Sequence, residues 1–294
     1  MNSSRYKLIE QHIDSFPVLP ATVSRVLEVT NDPECSAQDL MEAVMPDQSL
    51  SLTILKIANS VLFGRPKRVE SIKMAITILG FNEVANIALS KALFNSFNDL
   101  PKQHQPFLDG FWQHSFFCGM AARKIAVDLD YARDIAFMAG LIHDVGKLVM
   151  LQTFADEHTP PVWLLRHSIE EMLEEERQLY SFTHDEIGGQ LLSKWHFPDT
   201  LITAVASHHH PESAEQEYTY AYIVQLADII AFYSCNPQMI EDEIVSTILG
   251  VLPELPKTWR KRNLPFQYDA ITDWFNWLEE NKEQGEHLKS VFSV

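Results

Sequence analysis

Between Ile135 and Leu151 the chain reads IAFMAGLIHDVGKLVML, and the only ionisable side chains in that run are His143, Asp144 and Lys147. On one helix, at 100° per residue, the three fall within roughly 100° of arc, a single polar spot on an apolar cylinder. An ionised carboxylate in such surroundings is costly unless a charge partner or a metal ion receives it. The adjacent His-Asp pair therefore reads first as a pair of metal ligands.

Further donors of the same kind lie elsewhere. His114 sits in FWQHSFF, His184 opens THDEIGGQLL, His208 and His209 close TAVASHHHP, and Asp228 is embedded in AYIVQLADIIAFY. Each has a plainer reading. A lone histidine such as His114 is more often a satisfied core or surface side chain, and His184 could be exposed at a helix start. His208, His209 and His210 precede Pro211, so they could cap a helix C-terminus against the negative end of its dipole. Asp228 is harder to explain away, because no basic residue in its own run could pair with it. Taken in order, His, His-Asp, His, His-His, Asp, all on expected helices, the set points to metal binding.

That order, with HDVGK at His143 to Lys147, resembles the HD superfamily of metal-dependent phosphohydrolases. The resemblance implies that His114, His143, Asp144, His208 or His209, and Asp228 are metal ligands, with Asp144 bridging two ions and His184 serving the second. It gives Asp144 and Lys147 catalytic roles, Lys147 facing the phosphate or a water held by the metal. The cofactor it implies is one or two divalent ions, and these donors suit iron, manganese or magnesium better than a closed structural zinc.

The first half narrows the likeness. Leu19-Pro20, Asp32-Pro33, Asp47 with Leu50, the segment Leu55 to Phe63 carrying Ala58-Asn59-Ser60, Ser71-Ile72, Ala75-Ile76 and Leu79-Gly80 resemble the HDOD family of bacterial signalling modules, over about Ser15 to Tyr233. Many HDOD members have lost part of the metal set and act without catalysis; this chain retains it. HDVGK and the paired histidines are also similar to the cyclic-di-GMP phosphodiesterases that carry a Gly-Tyr-Pro motif. Here that motif is missing, no glycine occurs between Gly189 and Gly250, and Gly110 stands where those enzymes can carry an acid. Cyclic-di-GMP hydrolysis and a third metal are accordingly not expected.

Composition bounds the rest. With 294 residues and 46% hydrophobic content, one large domain or two intimate ones can bury a full core. The net charge of −17 argues against broad nucleic-acid binding, and the basic groups Arg65, Lys67 and Arg68, and Thr258 to Asn263, are small. Cys35, Cys118 and Cys235 read as reduced structural thiols. Apolar runs are too short or too charged for a bilayer and the start lacks a signal-peptide core, so the expected location is the cytoplasm, with no membrane and no nucleic-acid partner.

Helical signals recur and strand signals do not. Helices are expected from Pro20 to about Thr30, after N-cap Ser36, from Asp47 through Phe63, from Ser71 to Gly80 and from Phe81 to Phe97, with a Pro- and Arg-rich loop at Gly64 to Val69. The stretch Asn98 to Pro106 is the best boundary. The fold expected is all-α, with two packed helical subdomains: residues 1–100, residues 107–235 as an HD-type bundle carrying the metal site, and 236–294 as two or three helices packed outside. Two functions fit. One is a regulatory protein of signal transduction, with a protein partner. The other is an active metal-dependent phosphohydrolase on a nucleotide or phosphodiester.

Overall fold

In the computed structural model, residues 21–32, 34–60, 68–97, 104–154, 169–240 and 242–292 are described, and among them there is no strand. The all-α expectation holds. The first half builds α1 (Ala21–Asn31), α2 (Ala37–Val44), α3 (Gln48–Ala58), α4 (Ile72–Leu79) and α5 (Phe81–Ser96). Side chains start these helices as anticipated. Ser36 closes a capping box with Asp39, Asp47 accepts the Leu50 N–H at 2.9 Å, and Ser71 accepts from Met74 at 3.1 Å. Gly80, at φ 99°, turns the chain from α4 into α5 in a conformation that favours glycine.

One helix is shorter than its pattern suggests. α3 ends at Ala58, not Phe63, because Asn59 turns its amide onto a different partner. Its Nδ2 donates to Leu55 O (2.7 Å) and Val69 O (2.9 Å), and its Oδ1 accepts the Val69 N–H at 2.8 Å. One side chain thus satisfies both backbone groups of a residue ten positions away. Pro20, the loop from Gly64 through Lys67 and the start of the Asn98 to Pro106 boundary lie outside the described residues.

The second half follows with α6 (Gln105–Asp128), α7 (Arg133–Ile142), α8 (Val145–Thr153), α9 (Ile169–Tyr180), α10 (His184–Lys194), α11 (Asp199–Ala206) and α12 (Thr219–Cys235). α6 is the spine, packed along α7 and α12. The terminal region forms four helices where two or three were expected: α13 (Ile244–Val251), α14 (Leu255–Lys261), α15 (Tyr268–Glu280) and α16 (Lys282–Phe292). They belong to the core rather than its outside. Trp259, Trp274, Leu278 and Phe292 are buried, α15 and α16 pack on α6, and α16 reaches α3.

Buried polar contacts tie α5 to the rest of the molecule, among them Ser90 Oγ donating to Met138 Sδ at 2.9 Å. Arg123 of α6 donates to both Glu83 oxygens of α5 (2.8 and 3.0 Å), and Lys91 of α5 caps α16 through Phe292 O at 2.6 Å. The rings of Phe94, Trp112, Phe116 and Phe292 fill the space beside that cap. No single helix among the described residues is long and apolar enough to cross a membrane. The three cysteines are unpaired.

Candidate metal centre

The run from Ile135 to Leu151 is not one helix. It breaks at His143 and Asp144, between α7 and α8, where Asp144 adopts φ −95° and ψ 9°. Two close approaches flank the break. A Cβ on Gly140 would lie 2.8 Å from Cys118 O of α6, and one on Gly146 would overlap His184 O of α10. With hydrogen in both places, α7 closes on α6, which carries His114, and α8 closes on α10, which starts with His184. The glycines of the MAGLIHDVGK segment therefore set distances between candidate ligands.

Most of the other donors also sit at helix ends and not along helices. His184 is the first residue of α10, while His208 and His209 lie in the turn beyond α11; only His114 and Asp228 occupy helix interiors. All seven residues singled out in the sequence are nonetheless brought together. They form two groups whose ligand atoms lie within 4.8 Å of one another: Asp144, His184, His208 and His209, and beside them His114, His143 and Asp228. Asp144 faces both. Its Oδ1 is 3.1 Å from His184 Nε2 and 3.8 Å from His208 Nε2, and its Oδ2 is 3.4 Å from His143 Nε2 and 2.6 Å from Lys147 Nζ. Asp228 has the partners its own run lacked, His114 Nε2 at 3.0 Å and His143 Nε2 at 3.6 Å.

The far side of each ring decides what the near side offers. His143 Nδ1–H donates to Gly140 O at 2.7 Å, and His208 Nδ1–H donates to Val205 O at 2.7 Å. Because a carbonyl can only accept, both rings carry their proton on Nδ1 and turn Nε2 inward. His184 Nδ1 faces both Glu176 oxygens at 2.8 and 2.9 Å, and its Nε2 lies 2.9 Å from His209 Nε2. Anchoring the outer nitrogen so that the inner one presents its lone pair is the arrangement of histidine ligands to metals. The inner atoms are left wanting: His143 Nε2, His208 Nε2 and Asp144 Oδ1 are buried without a hydrogen-bond partner. A buried group in that condition is expensive, and a cation within the group would satisfy all three. The residues present fit a divalent ion.

The electrostatics agree. Burial opposes charge on Asp144 and Asp228, yet His143 and Lys147 around the first, and His114 and His143 around the second, hold both carboxyls well below the usual range. Burial likewise opposes the imidazolium of His184, but Glu176 outweighs it and lifts the ring to about 9, and Asp144 lifts His143 well above its ordinary value. Burial and their charged neighbours push His208 down to about 4 and His209 well below normal. Without an ion, protons supply part of the positive charge that the carboxylates demand.

His208 bonds the last turn of α11 through Nδ1, and that bond aims Nε2 into the group of candidate ligands. His184 is fully buried. The sequence reading passed over Glu176, which lies in a helix rich in acids and looks like part of a solvated face. It is 2% exposed and binds both the ring and the backbone N–H of His184 (2.8 Å). A signal was present: Glu176 continues the stripe of Ile169, Leu173 and Tyr180, an acid at an apolar position. Gln225 of α12, which donates to His209 O at 3.0 Å and steadies the turn, carried no such signal.

Residues 16–211 match the family model of the HDOD domain. An uncharacterised protein of Treponema pallidum is 24% identical over 251 residues, 80% of this chain and 44% of the relative, so the chain spans less than half the length of that relative. Among solved structures, a candidate phosphohydrolase from Shewanella amazonensis superposes with a TM-score of 0.71 at 21% identity, over 97% of this chain and 98% of the other. A candidate signal transduction protein from Marinobacter aquaeolei gives 0.69 at 20% identity, over 100% of this chain and 66% of that one. Those two likenesses are of fold. The family match extends through His143, Asp144, His184, His208 and His209, and on it this chain belongs to the HDOD domain family.

Proposed function

We propose that this protein is an HDOD signal-transduction module that keeps an HD-type metal centre, with His114, His143, Asp144, His184, His208, His209 and Asp228 as ligands to one or two divalent ions. The observation that carries the reading is the inward set of unsatisfied atoms, His143 Nε2, His208 Nε2 and Asp144 Oδ1, each held in place from behind or beside. The two oxygens of Asp144 facing different groups support a bridging role. A donor set dominated by imidazoles favours iron or manganese over magnesium.

A second reading, hydrolysis of a phosphoester, is favoured by Lys147. Its ammonium lines the cleft over the site next to Asp144 Oδ2, where it would offset charge on a phosphoryl group. An ion in the centre supplies Lewis acidity toward a phosphate oxygen. Glu176 fixes the ring of His184, and the buried rings around Asp144 exclude water. After His209 the chain enters a short 3-10 helix at Pro211–Ser213 with no glycine until Gly250, so efficient cyclic-di-GMP turnover is not expected.

The test is elemental analysis of full-length protein purified without chelator, beside Asp144→Ala and His143→Ala. Bound metal that both variants lose supports the centre; no metal, or unchanged content, overturns it. Turnover of a phosphoester panel by the loaded protein, abolished in Asp144→Ala, would select the hydrolase; none would select the regulatory reading.

A further inference from the structure

Over the two ligand groups opens a cleft of about 850 Å³, within the size range of small-molecule sites. His114, Asp144, Lys147, His209 and Asp228 reach its floor. Phe107 and Phe111 of α6, Met172 of α9, Phe232 of α12 and Met239 form much of its walls. Polar uncharged groups interrupt them at Gln113, Asn236, Gln238, Ser246 and Thr247.

Its charge is lopsided. Lys147 is the one lysine or arginine among the described lining residues, while Asp242 adds a carboxylate to the wall. A phosphate on the floor would meet Lys147 and the metal ligands. Among the described lining residues, any further phosphate would face apolar walls, amides and Asp242, with no guanidinium to receive it.

Gly110 supplies the second observation. It lies on the cleft wall one turn before His114, inside α6, and a Cβ there would meet nothing within 4 Å. Glycine is among the poorest residues for a helix interior, and at this position no close approach of the protein to itself requires it. What it leaves is room in the cleft one helical turn before His114.

We propose that the cleft binds a ligand with a single phosphate and an uncharged, planar body, the class that includes nucleoside monophosphates. The phosphate lies on the floor by Lys147 and the body lies against Phe111 in the space beside Gly110. Aromatic walls receive a flat face, and the amides and hydroxyls read polar edges without charge. This rests on the reading of the floor as a metal centre and goes beyond it by assigning the ligand.

The experiment is calorimetric titration of the full-length, manganese-loaded protein with AMP, GMP, ADP, ATP, cyclic-di-GMP and inorganic phosphate. AMP or GMP is expected to bind at least tenfold tighter than phosphate, and ADP and ATP no tighter than AMP. Gly110→Trp should weaken AMP at least tenfold at unchanged metal content, and Gly110→Ala should raise the melting temperature. If the tryptophan variant fails to fold, Gly110→Leu takes its place. Affinity that climbs with each added phosphate, or AMP binding indifferent to bulk at Gly110, overturns the proposal. The metal content of the same samples keeps the two readings apart. Protein without metal sinks the metal centre, and the AMP to ATP ratio still decides the cleft.

Discussion

The amino-terminal half and the second half put their polar side chains to opposite ends. In the first, side chains at helix ends bond locally, with Ser36, Asp47 and Ser71 capping the helices they begin and Asn59 satisfying both backbone groups of Val69, while Glu83 and Lys91 reach across to Arg123 and Phe292. In the second, side chains hold each other in place and leave buried atoms unsatisfied, as with His143 Nε2, His208 Nε2 and Asp144 Oδ1. A satisfied polar group explains itself through stability. An orphaned one surrounded by anchored neighbours is where an ion or an ordered water would complete the structure.

The sharpest way to break this contrast is to disturb how the helices meet. Gly146→Ala would drive a methyl into His184 O of α10, with a cost of about 3 kcal/mol or more, because the obstruction is backbone. Chemical denaturation should show it, together with loss of metal. A folded, metal-replete Gly146→Ala protein would mean that the α8 to α10 approach does not set the site.

Next in size is the metal itself. Adding manganese at about 100 times its Kd should raise wild-type stability by about 2.7 kcal/mol, and Asp144→Ala should not respond. Glu176→Gln keeps the shape but removes the charge behind His184, so metal affinity should fall about 10- to 100-fold with the fold intact.

pH sharpens the same point. Binding must displace protons from ring nitrogens, and Glu176 holds His184 at about 9 in the metal-free protein. Metal affinity should therefore climb as pH rises towards about 9, and in Glu176→Gln the climb should end at lower pH. A purely structural role for Glu176 would lower affinity equally at every pH.

Smallest and most discriminating is Asn59→Ala. Losing three hydrogen bonds, in part to buried backbone, should cost about 1–3 kcal/mol in denaturation and leave metal content unchanged. Metal loss from a folded Asn59→Ala protein would place the first half in the site and erase the contrast.

Much of this was local enough to be legible. Helix class, the caps at Ser36, Asp47 and Ser71 and the turn at Gly80 follow from residue types and from hydrogen bonds that span three or four positions, and seven candidate donors could be named from their types and order along the chain. What needed the tertiary structure are matters of distance between helices. The break at His143 and Asp144, the partners of Asp228 in α6 and in that break, Glu176 behind His184 and the burial of Trp259 and Trp274 all depend on approaches that no periodicity encodes. The physical reason is the reach of each interaction. A cap or an apolar stripe is set within one or two turns of chain, whereas a cation site is set where separate backbones meet. Here the missing side chains of Gly140 and Gly146 decide that meeting.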